Sequence, residues 1–192
     1  GVGTETLEGF AKGTGRGAAL PIAFAGATGS ITATIGANSE GFVSTGVGFG
    51  GFGDTANFAR WNTSPVPGGA WYLSFNPFTI TSDTPISAFG FFGTGVGDAD
   101  GSLMLTLTAE GGATTDLVVG HSTPAANGSL LFWGFIHATT AYTSIAFDNS
   151  AAGFDGFGFD GMTIGDREQV RLVPGPGALA RLGLGLPCLA LR

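Results

Sequence analysis

The chain has 192 residues, of which 36 are glycine, 17 are phenylalanine and only 11% are charged. Fourteen Asp and Glu against seven Lys and Arg leave a net charge of −7, which excludes the basic footprint of a nucleic-acid binder and disfavours anionic lipid surfaces. A hydrophobic content of 43% excludes a disordered chain, and the single cysteine, Cys188, excludes an internal disulfide.

The first recognisable piece is Leu7-Glu8-Gly9-Phe10, followed by a short strand over residues 20–24. Residues 31–35 alternate apolar with small polar side chains, the pattern of a half-buried strand, and residues 42–47 give another. Residues 48–69 are rich in Gly, Asn, Ser and Pro and read as a long surface loop carrying Phe58 and Trp61. Strands over 71–75 and 78–81 flank an Asn76-Pro77 turn, and Asp83-Thr84-Pro85 separates them from a strand over 86–92.

Residues 103–108 and 114–119 form a hairpin through Glu110-Gly111-Gly112, while Asp100-Gly101 reads as a hairpin turn just before it. Residues 121–129 are a loop, and strands follow at 130–136, 142–147 and 157–164. No window before the C-terminal tail has helical periodicity. Short strands at regular spacing, broken by turn residues, predict an all-β fold: a jelly-roll-like β-sandwich of antiparallel strands over residues 1–165, with a linker and apolar tail over 166–192.

That tail opens with Val173-Pro174-Gly175-Pro176, which can continue neither strand nor helix. An apolar run through Leu179, Leu182, Leu184, Leu186, Leu189 and Leu191 then leads to Arg192. It resembles the PEP-CTERM sorting signal of exported bacterial proteins, in which a Val-Pro-Glu-Pro box precedes a short apolar helix and basic residues. Val173, Pro174 and Pro176 match the box, and Arg192 matches the basic end. Gly175 replaces the glutamate, Arg181 and Pro187 interrupt the run, and one arginine closes it.

A membrane span needs about 20 apolar residues and a central Arg costs roughly 2.5–3.5 kcal/mol, so this tail would touch a membrane only transiently. The plainer alternative is an amphipathic packing segment. The sequence opens on Gly1 without a basic, apolar leader, so either a removed leader or a fragment boundary is expected there.

The resemblance extends through residues 86–192, carried by Ile86-Ser87-Ala88-Phe89-Gly90-Phe91-Phe92-Gly93-Thr94, Leu131-Phe132-Trp133-Gly134-Phe135-Ile136 and Gly158-Phe159-Asp160-Gly161-Met162-Thr163-Ile164. Gly95 and Gly161 stand where that family usually has aspartate. The sequence is also similar to jelly-roll carbohydrate-binding domains in having a Glu near the first strand and an Asp near the last. That similarity implies a structural Ca²⁺ shared by Glu8 and Asp160, because neighbouring carboxylates repel without a cation and calcium takes 6–8 oxygens. The competing account is two surface carboxylates bonded to turns. Asp98 and Asp100 form a weaker candidate that lacks the later ligands of a helical calcium loop.

Catalysis finds no constellation: His121 and His137 each lie beside a turn, with no acid and nucleophile at a suggestive spacing. Trp61, Trp71 and Tyr72 could stack on sugar rings, although in so Phe-rich a sandwich most aromatics belong to the core. The expected function is therefore non-enzymatic: an exported cell-surface or biofilm-matrix structural protein. It is expected to self-associate, as a homo-oligomer or filament, through edge strands and the tail. The alternative is a carbohydrate-binding module acting on exopolysaccharide.

Overall fold

A computed structural model of the chain describes residues 2–45, 63, 69–98, 101–121, 125, 128–149 and 156–170. The features placed on Trp61, Asp100, Val173, Pro174, Pro176 and Arg192, and most of the 48–69 loop, lie outside the described residues.

The described residues are all β and contain no helix: β1 (Gly3–Glu5), β2 (Leu20–Ala25), β3 (Ser30–Ile35), β4 (Gly41–Thr45), β5 (Ala70–Ser74), β6 (Phe78–Thr94), β7 (Met104–Ala109), β8 (Thr114–Val118), β9 (Leu130–Ile136), β10 (Tyr142–Asp148) and β11 (Phe157–Asp166). All their pairings are antiparallel. The antiparallel sandwich expected from the strand spacing is the observed fold.

The 17-residue strand β6 serves both layers. Its first part lies between β3 and β10, so one layer runs β2-β3-β6-β10-β7-β8. Its last part lies between β11 and β9, so the other runs β4-β5-β11-β6-β9, with β1 alongside the end of β11. The crossing falls at Asp83-Thr84-Pro85, where the sequence suggested a turn. Proline has no N–H to contribute to a ladder, so it is tolerated where pairing passes from one layer to the other. Asp83 steadies the crossing by accepting the Thr32 N–H at 2.8 Å. That bond holds its carboxyl below the ordinary value of 3.8.

Between the layers a cluster of phenylalanines packs beside a larger aliphatic set. Phe147 of β10 stacks on Phe78 at 4.6 Å and meets Phe91 edge-on at 5.4 Å and Phe159 at 5.7 Å. Phe91 in turn stacks on Phe159 at 5.3 Å. Ile22, Ile31, Ile35, Leu105, Leu107 and Ile145 fill the same core from the first layer.

The Glu110-Gly111-Gly112 turn does join a hairpin, β7 to β8, closed by the Gly112 N–H on the Ala109 carbonyl at 2.8 Å. The turn expected at Asp100-Gly101 falls on Asp100, outside the described residues; of the strands on either side of it, β6 ends against β9 and β11, whereas β7 pairs with β10 and β8. Strand β1 carries no alternating signal of its own; it forms because β11 offers it a free ladder over Met162–Ile164.

Phe147 touches both layers at once, so Phe147→Ala is expected to lower unfolding free energy by about 3–5 kcal/mol. Val118→Ala, at a position 69% exposed on β8, should stay within about 0.5 kcal/mol of the parent. Urea denaturation of the two variants checks both values.

Candidate functional site

Two places stand out, one polar and one apolar. The polar one is a break along one edge of β11. β5 pairs with Phe157, Gly158 and Phe159, and β1 pairs with Met162, Thr163 and Ile164. Asp160 and Gly161 fall between. Gly161 has φ of 56°, and a Cβ there would lie 2.8 Å from the Phe92 ring. The backbone at this break therefore suits glycine and disfavours the aspartate that the sorting-family resemblance led one to expect.

Asp160 is 1% exposed. Its Oδ2 accepts the Thr63 N–H and hydroxyl, each at 2.8 Å, and its Oδ1 accepts the Gly161 N–H at 2.6 Å. Glu8 follows β1 and reaches the first residue of β5, its Oε2 accepting the Ala70 N–H at 2.9 Å. Glu8 is thus bonded to the start of β5, and Asp160 lies on β11, the strand that β5 pairs with. Glu8 Oε1 is buried and has no hydrogen-bond partner among the described residues, an arrangement that favours a cation beside it. No group of three or more His, Cys, Asp or Glu converges among the described residues, so carbonyl and hydroxyl oxygens would have to complete a calcium shell. Asp98 lies in the turn after β6, whose last residues pair with Gly158 and Phe159 of β11.

The two described aromatics proposed to stack on sugars are both 0% exposed. Tyr72 points into the core, 5.6 Å from Phe78. Trp71 lies on the opposite face of β5, against the place where Gly158 lacks a side chain. Neither presents a ring to a ligand; the core reading describes them. Tyr72 also carries a buried hydroxyl without a hydrogen-bond partner among the described residues, and burial pushes its pKa up to about 12. His137 bonds Tyr142 through Nδ1 at 2.6 Å, and burial also raises the Tyr142 pKa.

The apolar place was not singled out from the sequence. On the outer face of the second layer, Gly134 of β9 lies opposite Gly90 of β6, which lies opposite Thr163 of β11, which lies opposite Thr4 of β1. This low row is flanked on one side by Phe132 and Phe92, whose rings are 5.0 Å apart, and on the other by Ile136 and Val2. The result is a trough of about 450 Å³ lined by hydrocarbon, glycine and Thr163, with no titratable group. Phe132 and Ile136 are 62% and 68% exposed. Four residues separate them along β9, or about 13 Å, the width of an extended chain with its side chains. The signal available in the sequence was the glycine in each of two strands. Only their register makes it a site.

No known family profile and no curated protein matches the chain. Among solved structures it is similar to the K2 cleaved adhesin domain of Lys-gingipain, with 13% identity, a TM-score of 0.46, and coverage of 85% of this chain and 99% of that one. It is also similar to the CBM22-1–GH10 modules of Clostridium thermocellum xylanase 10B, with 11% identity and a TM-score of 0.38 over 84% of this chain and 27% of that one. The family 11 carbohydrate-binding module from Clostridium thermocellum gives 10% identity and a TM-score of 0.35, over 86% and 96% respectively. Likeness at this level says nothing of ligand or reaction.

The chain's two tyrosines provide a pH test. Both folded pKa values lie above the ordinary 10.0, so the folded state holds its phenolic protons more tightly than the unfolded state. Their stabilising contribution is full below pH 10 and is lost as pH rises from 10 toward 12. Phenolate absorbance of the folded protein should therefore appear only above pH 10, and a return to ordinary titration in denaturant should accompany it.

Proposed function

We propose that this chain is a non-catalytic, exported structural protein of the cell surface or extracellular matrix, which associates with further copies through the outer face and free edge of β9. The PEP-CTERM-like tail would direct its sorting and meet the membrane only in transit. The observation that carries this proposal is the apolar stripe of Leu130, Phe132 and Ile136 on a strand that, among the described residues, pairs only with β6. An edge strand without proline or charge is an open template for another chain, and natural folds usually guard such edges. β9 has neither.

A second reading, binding of exopolysaccharide, is favoured by one feature: Phe132 backed by Phe92 leaves an aromatic face at the trough wall. Sugar recognition also needs convergent polar groups, and the trough supplies only Thr163, whose hydroxyl is paired with that of Thr4 at 2.9 Å. Protein association is therefore preferred.

Structural calcium belongs to the same proposal. Glu8 Oε1 and Asp160 would hold the ion, with neighbouring carbonyl oxygens, and join the loop after β1 to the start of β5 and to β11. The ion would supply positive charge to a chain with twice as many acids as bases.

For association, Phe132→Glu combined with Ile136→Lys should raise the concentration needed for assembly at least tenfold while leaving the melting temperature close to the parent. Sedimentation and negative-stain imaging read the outcome, and assemblies unchanged by the double variant would rule out this face. Retention of the parent, but not of Phe132→Ala, in gels cast with exopolysaccharide would support the second reading instead.

For calcium, an ion at 100 times its Kd stabilises by about 2.7 kcal/mol, or about 5–10 °C in a domain of this size. Thermal melts with added Ca²⁺ and with chelator should differ by that amount in the parent and not in Glu8→Gln. Identical melts in the parent would show that Glu8 and Asp160 serve only their hydrogen bonds.

A further inference from the structure

We propose that the trough is covered by the chain's own C-terminal segment, centred on Leu182-Gly183-Leu184-Gly185-Leu186. The importance of this cover rests on the assembly face proposed above; its location does not. Four observations point to this occupant.

The first is where the described chain stops. Val170 Cγ2 lies 3.5 Å from the position a Cβ would take on Gly165, and Val2 Cγ1 lies 2.6 Å from it. Val2 lines the trough, so Val170, the last described residue, sits beside the trough's rim. The second is reach. Twelve residues separate Val170 from Leu182, up to about 40 Å of extended chain. Pro174-Gly175-Pro176 falls within them and favours a reversal back over the sheet.

The third is pattern. Residues 182–186 alternate leucine with glycine. In an extended chain the three leucines project to one side and the glycines to the other. The leucine side supplies the bulk that the floor at Gly90 and Gly134 lacks. The glycine side leaves the cover thin. The fourth is charge. All 14 acidic residues lie within 1–170, whereas residues 171–192 carry Arg171, Arg181 and Arg192 and no acid. The segment is thus positive and the body to which it returns strongly negative.

Tethering decides between this segment and the same segment of another copy. A short flexible linker gives an effective concentration on the order of millimolar, well above that of free protein. Self-cover should therefore prevail in dilute solution. At high concentration, or when a sorting apparatus holds the tail, the face is released to another chain.

The sole cysteine offers a direct test in the full chain. In Ile136→Cys, mild oxidation should link the new thiol to Cys188 within one molecule, giving a faster-migrating monomer on a non-reducing gel whose yield is independent of dilution. The yield should exceed that of the Val118→Cys control, on the far edge of the other layer, at least tenfold. Adding Leu184→Asp to Ile136→Cys should reduce it about tenfold. Equal yields from the two cysteine positions, no effect of Leu184→Asp, or linked species that are only intermolecular and vanish on dilution would each overturn the proposal. Assembly is measured separately on the parent chain. An intramolecular link in a protein that never assembles would retain the cover and remove the assembly function, and assembly without the link would do the reverse.

Discussion

The structure depends on one strand that hydrogen-bonds in both layers. β6 pairs with β3 before Pro85, with β10 as far as Ile86, and with β9 and β11 beyond, so the layers cannot slide apart without breaking a continuous backbone. The phenylalanines make use of that constraint. Phe78 and Phe91 sit on β6 on either side of the crossing, and Phe147 from the first layer contacts both. Aromatic rings prefer offset stacks and edge-on contacts, and this cluster contains both kinds. The core is thus keyed by ring geometry in addition to the burial of its aliphatic side chains.

Glycine has a different task on the outer faces. At Gly158 a side chain would collide with Thr94 Oγ1 and with the Trp71 ring, so its absence lets Trp71 lie against the sheet. At Gly134 a Cβ would come within 2.6 Å of the Phe89 carbonyl oxygen and 3.0 Å of Gly90 Cα, so here its absence lets two backbones approach. In the first place the missing side chain seats a buried aromatic, and in the second it sinks the floor of the surface trough. The same residue type makes the polar break possible, since Gly161 turns the backbone of β11 between its two partners.

Much of this was legible in the sequence. Alternation over residues 31–35 and 103–108, the Glu110-Gly111-Gly112 turn and the spacing of short apolar runs all encode local geometry, and local geometry is what periodicity reports. Asp83-Thr84-Pro85 looked like the end of one strand and the start of another, because a propensity pattern cannot show that a strand changes layer without stopping. Glu8 and Asp160 were paired through resemblance alone; the break beside Asp160 depends on β1 and β5 sharing an edge of β11. Trp71 and Tyr72 lie on opposite faces of one strand and are both buried, which alternation alone would not suggest. The trough escaped notice because Leu130 to Ile136 is apolar at nearly every position. Such a run resembles a strand buried on both sides, whereas here Leu131, Trp133 and Phe135 pack inward and Phe132 and Ile136 face out.

The close approach at Gly134 also governs how this surface can diversify. Because the floor is backbone against backbone, no inherited change can raise it gradually: the smallest side chain already collides with the Phe89 carbonyl. Drift among descendants must instead proceed at the flanks, through Val2, Phe132 and Ile136, where bulk and polarity can change without disturbing the strands beneath. The depth of the depression is thereby locked while the character of its walls stays free to evolve.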